Sequence, residues 1–277
     1  MSISSKKLIL IDGYCILFRS FFALQKQYEY AGIWGFIRTL WKVIQARNPT
    51  VLVIALDTGA KTWRHNFYHR YKATRPPTPE KLLPQFKMLD ELCTTLSIGS
   101  VRINGYEADD CIASSCFQYA NAFDSTEIIS CDKDLMQLVK NSVYFYDPFT
   151  KILYDEELVK QKIGVYPKQI QDLLALVGDT SDNIPGVKNI GNKTAISLLE
   201  KYISLNNILQ NVDQLTGHRE KHIKDNVEAA TLSYKLASLK YCVKLPDIFS
   251  TNFVLKEDAL HEFLLKYNMH SLHAIMH

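Results

Sequence analysis

The chain has 277 residues, with 32 Lys and Arg against 29 Asp and Glu for a formal net charge of +3, and 47% of its residues are hydrophobic. That length suits one large α/β domain or a domain with a helical extension, and the composition excludes a disordered or fibrous chain. No apolar run approaches the roughly 20 residues of a membrane span, and a strand-like segment entered at Lys6-Lys7 leaves no room for a secretion signal. Six cysteines (Cys15, Cys93, Cys111, Cys116, Cys131 and Cys242) are scattered without a Cys-x-x-Cys pair, so buried reduced thiols in a cytoplasmic setting are expected, not disulfides or zinc ligands.

Leu8-Ile9-Leu10-Ile11 is a continuous apolar run of the kind a buried parallel strand shows, and it stops on Asp12-Gly13. Residues 14–24 read as a helix carrying Arg19. A second amphipathic helix follows through Ile33, Phe36, Ile37, Leu40, Trp41 and Ile44, and is stopped by Asn48-Pro49. Residues 51–56 are a second buried strand ending on Asp57. Residues 127–131 are a third, followed by Asp132-Lys133-Asp134. Strands alternating with helices imply a largely parallel sheet, whose ligands bind beyond the carboxyl ends of the strands. Parallel strands share one direction, so Asp12, Asp57 and Asp132 are expected on one rim. Val143 to Tyr146 also ends on an acid, Asp147, but residues 151–154 look like a return strand, which makes Asp147 a turn residue.

Glu107-Ala108-Asp109-Asp110 opens an apolar helical run. By itself it reads as an acidic first turn favoured by the helix dipole; the strand-end aspartates turn it into a candidate metal-ligating cluster.

Between the second and third strands, residues 61–75 hold Lys61, Arg64, Arg70, Lys72 and Arg75 with no acid, interleaved with Trp63, Phe67, Tyr68 and Tyr71. Trp63, Phe67 and Tyr71 recur at helical spacing, and Arg64, Tyr68, Lys72 and Arg75 make another face. Such interleaving can grip phosphates and stack bases of single-stranded nucleic acid. His65 and His69 lack a third ligand and read as polar-face residues. Pro76-Pro77 breaks the helix, and Thr78-Pro79 restarts one with Thr78 as N-cap, so a projecting helical hairpin over about 61–95 is expected.

Beyond residue 165 the strand pattern fades. Ile170, Leu173, Leu174 and Val177 give a helix ending at Gly178. Then come Asp179 and Asp182, a turn with Gly186 and Gly191 five residues apart, and a helix from Ala195 to Tyr202. Free N–H groups in such a turn can bind a phosphate oxygen, aided by Lys188 and Lys193. Residues 203–277 are helix-rich, with Lys221, Lys224, Lys235 and Lys240 as further phosphate contacts.

These motifs, namely Leu-Ile-Asp-Gly at 10–13, Tyr-Lys-Ala-Thr-Arg-Pro-Pro at 71–77, Glu-Ala-Asp-Asp at 107–110, Asp-Lys-Asp at 132–134 and Gly-Asp-x-Ser-Asp-Asn-Ile-Pro-Gly-Val at 178–187, resemble those of the 5′-nuclease family. The resemblance is to the 5′–3′ exonuclease domain of bacterial DNA polymerase I and to the flap endonucleases, and Lys235-Leu236-Ala237 also fits. It implies a PIN-like α/β core over 1–165 with a helical arch. It further implies a helical DNA-binding region over 166–277 with a helix-hairpin-helix element at about 168–202. The implied metal carboxylates are Asp12, Asp57, Glu107, Asp109, Asp110, Asp132, Asp134, Asp179 and Asp182. Setting those nine aside leaves 20 acids against 32 Lys and Arg, a basic body around an acidic pocket. Lys72 and Arg75 match residues that contact the scissile phosphate, and Arg19 a basic residue beside it. Arg64, Arg70, Tyr71, Gly186, Lys188, Gly191 and Lys193 complete the expected DNA contacts.

Hard oxygen ligands without His or Cys point to two Mg²⁺ ions, with Mn²⁺ as a substitute. The resemblance adds a K⁺ site at the glycine turn, put in doubt by Asn189 where glycine is usual, although Asn tolerates left-handed angles. Tyr14-Cys15 and Cys131 also depart from the family pattern. The expected activity is 5′–3′ exonucleolytic and 5′-flap endonucleolytic cleavage of DNA and RNA–DNA primers in primer removal and repair. The expected setting is a free-standing cytoplasmic, nucleoid-associated monomer working beside a DNA polymerase. A catalytically silent branched-DNA-binding protein and a PIN-like ribonuclease are the competing readings.

Overall fold

The structure is a computed structural model and describes residues 5–215, 217 and 221–276. The first half alternates strand and helix: β1 (Lys7–Asp12), α1 (Gly13–Leu24), α2 (Ala31–Arg47), β2 (Val51–Ala55), α3 (Trp63–Phe67), α4 (Leu83–Thr95), β3 (Gly99–Val101), α5 (Ala108–Tyr119) and β4 (Ser125–Ile129). β5 (Val143–Asp147), β6 (Ile152–Tyr154) and α6 (Glu156–Ile163) follow. The remainder is helical: α7 (Ile170–Val177), α8 (Asn192–Tyr202), α9 (Leu205–Gln210), α10 (Lys221–Asp225), α11 (Val227–Ala237), α12 (Glu257–Lys266) and α13 (His270–Met276). No helix among the described residues is long and apolar enough to cross a membrane.

The six strands form one sheet in the order β3-β2-β1-β4-β5-β6. All neighbours are parallel except β5 and β6, which form a hairpin. Asp147 closes that hairpin as expected, its Oδ1 accepting from the amides of Phe149 and Thr150. Alternation along the strands sorts side chains to two faces. Leu8, Leu10, Val53 and Ile128 pack beneath α5, α7, α8 and α11, whereas Ile9, Ile11, Leu52, Ile54 and Ile129 pack beneath α1, α2, α4 and α12. Both layers are dry, which is why the strands read as unbroken apolar runs. The three-residue β3 was too short to leave such a run.

Residues 61–75 depart from expectation. The helical stripe predicts a helix through Tyr71, but α3 stops at Phe67, Tyr68 is extended and Lys72 has φ of 56°. Tertiary bonds override the local period here. The Lys72 amide donates to the Asp182 carbonyl and Asn183 Nδ2 to the Arg70 carbonyl, stitching the segment to the turn after α7. Thr78 does not cap either. Pro79 precedes a 3₁₀ turn, Glu80–Leu82, that runs into α4, whose first turn contains Pro84, where a missing N–H costs nothing. Among the cysteines, Cys15 and Cys131 are joined as a disulfide, with Cα atoms 6.4 Å apart, contrary to the expected thiols. Cys15 lies at the start of α1, directly after β1, and Cys131 just beyond β4, neighbouring strands whose carboxyl ends the parallel pairing brings side by side.

The α7–α8 turn is held by backbone contact that only glycine permits. Gly178 and Gly186 both have positive φ, and a Cβ on Gly186 would lie 2.4 Å from the Gly178 nitrogen. We expect Gly186→Ala to destabilise the fold by about 1–3 kcal/mol or more, from left-handed strain plus overlap. Chemical denaturation of the variant beside the parent measures this.

Candidate metal centre

Each acid on the carboxyl rim is brought there by its own element. Asp12 ends β1 and caps α1, its Oδ1 accepting from the Cys15 amide at 3.2 Å and its Oδ2 from the Ser130 hydroxyl at 2.7 Å. Asp57 follows β2 and accepts from the Ala108 amide at 2.8 Å. Glu107 is the N-cap of α5, and Asp109 sits in its first turn. Asp132 follows β4 and accepts from the Asp134 amide at 2.9 Å. Asp179 folds its carboxylate back onto the amides of Ser181 and Asp182, and the Asp182 carboxylate accepts from Tyr71 at 2.8 Å and from Arg75.

These groups are withdrawn from solvent, Asp12 and Glu107 almost completely and the others in part. Burial, reinforced by the charges of Asp57 and Asp132 and opposed by the Ser130 hydroxyl, pushes Asp12 up to about 7. Burial also raises Asp57, against the Ala108 amide. Asp109 is raised well above the usual carboxylate range by burial and by Asp132 and Asp12. Asp134 is raised in the same way by burial, Asp132 and Asp179. Burial, with Asp182 and Asp179, raises Asp132 as well, although the Asp134 amide opposes it. Asp182 goes the other way: burial would raise it, but Lys72 and Arg75 outweigh burial and hold it low.

Positive charge enters from the 61–75 segment. Lys72 Nζ lies 3.0 Å from Glu107 Oε2 and 3.8 Å from Asp182 Oδ2, and Arg75 pairs with Asp182. Burial works against the Lys72 charge, but Glu107 and Asp182 outweigh it and raise its pKa. Among the described residues no three of the acids converge closely enough at one point to hold an ion as they stand.

The donor set nevertheless fits hard divalent cations. Every candidate ligand is a carboxylate oxygen, Asp134 Oδ1 is buried without a hydrogen-bond partner, and no hydrogen bond engages the Asp109 carboxylate among the described residues. Buried repelling carboxylates with open lone pairs are poised to be neutralised from outside.

Three expected contacts are corrected by burial. Asp110, expected as a ligand, is fully buried and spends its oxygens on Arg64 at 2.9 and 3.1 Å, on Trp63 Nε1 at 2.9 Å and on the Lys240 amide at 3.0 Å. Arg64, expected on DNA, is 2% exposed. Its remaining donors go to Glu107 Oε2 at 3.1 Å and to the carbonyls of Leu236 and Ser238. Tyr71, expected to stack on bases, is 3% exposed and donates to Glu107 and Asp182. A fourth correction concerns the glycine turn, where the Gly186 amide is already bonded to the buried Ser233 hydroxyl at 2.9 Å.

Arg19, Arg70, Lys188, Gly191 and Lys193 are exposed, with the Arg19 guanidinium over the Phe149 ring at 4.6 Å. Asn189 takes the left-handed angle expected of it, at φ 65°. Ser130, Ser233 and Thr62, whose hydroxyl donates to Glu107 Oε1 at 3.4 Å, escaped sequence reading, because a hydroxyl aimed at a carboxylate or an amide leaves no pattern of its own.

The buried pair and the open carboxylates separate experimentally. Asp110→Ala strands Arg64 without its main counter-charge, and we expect a loss of about 3–5 kcal/mol; Asp109→Ala removes repulsion and leaves stability equal or higher. Denaturant melts of the two variants check this. The raised carboxylates also set a pH dependence. A folded-state pKa above the unfolded value stabilises below the unfolded pKa, and that contribution is lost as pH rises through the folded one. For Asp12 the loss runs from about pH 4 to about pH 7. The rise in Tm on adding Mg²⁺ or Mn²⁺ to chelator-treated protein is therefore expected to grow across that window, as differential scanning calorimetry would record.

The 5′–3′ exonuclease N-terminal resolvase-like domain family matches residues 7–164, and the 5′–3′ exonuclease C-terminal SAM fold family matches residues 165–258. A 5′–3′ exonuclease of Aquifex aeolicus (strain VF5) is 39% identical over 239 residues, covering 84% of this chain and 82% of that protein. The DNA polymerase I of Caldicellulosiruptor bescii is 35% identical over 281 residues, and there the match spans 96% of this chain but 33% of the polymerase. Among solved structures, T5 5′-exonuclease with divalent zinc bound superposes with a TM-score of 0.76 at 24% identity, covering 94% of this chain and 98% of the other, a likeness of fold. The mostly parallel sheet is thus the PIN-like half, and the helices α7 to α11 the SAM-fold half. The chain belongs to the 5′–3′ exonuclease family of nucleases.

Proposed function

We propose that the chain uses divalent cations, Mg²⁺ in the cell with Mn²⁺ as a substitute, to hydrolyse phosphodiesters at 5′ ends, 5′ flaps and nicks of DNA, including RNA–DNA primers. The observation that supports this most is the Asp109 carboxylate, which accepts no hydrogen bond among the described residues and whose pKa is raised by burial and by the neighbouring Asp132 and Asp12. Asp12, Asp57, Glu107, Asp109, Asp132, Asp134, Asp179 and Asp182 would hold the ions. Such ions lower the pKa of an attacking water and stabilise the leaving oxygen of an in-line displacement.

The chain's own residues bind and orient the strand. Lys72 and Arg75 now neutralise Glu107 and Asp182. Were cations to neutralise those carboxylates, Lys72 and Arg75 would be free to meet the phosphate, where preorganised positive charge counts most as negative charge shifts. The burial of Tyr71 fixes the backbone from which Lys72 projects. Exposed Lys188 and Lys193, beside the Gly191 N-cap of α8, supply a helix N-terminus and two cations for the phosphates of a duplex arm. A nuclease core over 1–165 with a DNA-binding region over 166–277, acting as a cytoplasmic, nucleoid-associated monomer beside a DNA polymerase, completes the reading. K⁺ at the glycine turn belongs to it as well.

The deciding experiment resolves products from 5′-flap, nicked and blunt duplexes, and from RNA-only substrates, across a Mg²⁺ titration. The parent is expected to cut flap and nicked DNA only with metal present. Asp109→Ala is expected to lose cleavage by at least about three orders of magnitude while keeping substrate affinity within a few-fold. Metal-dependent cutting of RNA alone would favour a ribonuclease, and full activity of Asp109→Ala would remove the metal assignment.

A further inference from the structure

We propose that an exposed strip of aromatic rings and lysines, running from Phe67 past Trp63 to Tyr241 and Phe117, is a stacking surface for the free single strand of the substrate; this rests on the flap-cleaving reading above. The strip begins in α3, where the Trp63 and Phe67 rings meet edge-on at 5.9 Å. Lys235 Nζ lies 5.8 Å from the Phe67 ring centre, and Lys240 Nζ 4.1 Å from that of Trp63. The next residue, Tyr241, sets its ring 6.1 Å from Phe117 at the end of α5. Phe67 and Phe117 are each 58% exposed and Tyr241 is 39% exposed, so the rings are open to a ligand, and it is their grouping with lysines that sets them apart from singly exposed apolar side chains. Neither lysine makes an ion pair among the described residues.

The surface is built rather than loose. The Ser114 hydroxyl donates to the Lys240 carbonyl and accepts from the Val243 amide, Gln118 Nε2 donates to the Val243 carbonyl, and the Lys240 amide donates to buried Asp110. Residues 240–243 are therefore fastened to α5 along their backbone, and the Tyr241 ring is presented from that fixed segment. Trp63 ties the strip to the metal centre, because its Nε1 donates to the same Asp110 that anchors Arg64 and, through it, Glu107.

Charge decides the occupant. A protein covering these rings would bury Lys235 and Lys240 and would have to provide counter-charges at each ring. A single strand brings one phosphate with every base, and base faces stack on aromatic rings regardless of sequence. The repeat of ring and cation suits such a polymer and gives a small anion only an exposed lysine.

The test uses the full chain in chelator, where no cleavage occurs, and fluorescence anisotropy with two nicked duplexes, one without a flap and one with a 5′ flap of about 12 nucleotides, within the span of single-strand platforms. The parent is expected to bind the flapped DNA more tightly. Phe67→Ala combined with Tyr241→Ala should reduce that gain about tenfold or abolish it, with the unflapped affinity as internal reference. Abasic residues throughout the flap should cost the parent the same factor and cost the variant nothing further. Both side chains are exposed, and a thermal melt confirms that the fold persists. An unchanged flap gain in the variant overturns the proposal, as does a gain that survives the abasic flap, because phosphates alone would then account for it. Either result leaves the nuclease assignment standing, since that is read from metal-dependent cleavage.

Discussion

A guanidinium taken out of water must find a partner for every N–H it carries, and Arg64 does so. It has five donors, and all are used: Nε on the Leu236 carbonyl, two on Asp110, one on Glu107 and one on the Ser238 carbonyl. The partners come from two places distant in sequence from α3 and from each other, namely the start of α5 and the exit of α11. Removing one partner would leave a buried charge exposed to the full desolvation cost, several kcal/mol. The site therefore assembles as a unit, and the C-terminal half docks on the sheet partly because its carbonyls complete this pocket.

The opposite condition holds a few residues away. Around Asp109 and Asp134 the acids outnumber the cations, and burial raises their pKa values instead of pairing them. Lys72 and Arg75 supply only part of the missing positive charge, on the Glu107 and Asp182 side. One helix start thus carries two kinds of carboxylate. Asp110 is neutralised permanently by protein, and Asp109 is left for something the protein does not contain. The distinction lies in where α5 points each side chain, since consecutive helical positions are about 100° apart.

That difference also explains what could be read from the sequence. A buried parallel strand announces itself as an apolar run, and an aspartate at its end has a fixed destination, so Asp12, Asp57 and Asp132 were legible before any fold was known. Asp109 and Asp110 were not separable from composition and spacing alone, because adjacent acids look alike until a partner arrives from elsewhere. The clue in retrospect is that Asp110 shares a helical face with Ala113 and Ser114, both fully buried. Arg64 and Tyr71 failed for the same reason from the other side. Cations and aromatics at helical spacing describe a surface helix equally well whether or not tertiary bonds to Asp182 and Asn183 unwind it. The Cys15–Cys131 contact was equally hidden, because scattered cysteines say nothing of which turns the sheet brings together.

Taken with the burial of Arg64, the position of Lys240 has a further consequence. Its amide donates to Asp110, its carbonyl accepts from Ser114, and its ammonium lies over Trp63, whose indole N–H returns to Asp110. The backbone of residue 240 is thereby part of the hub that orients Glu107, while its charge faces outward. A change of side chain at residue 240 leaves the hub's hydrogen bonds in place, because they run through its backbone. Arg64 joins the start of α5 and the exit of α11 in one buried network. A lysine there could match its charge but not its five-donor fork.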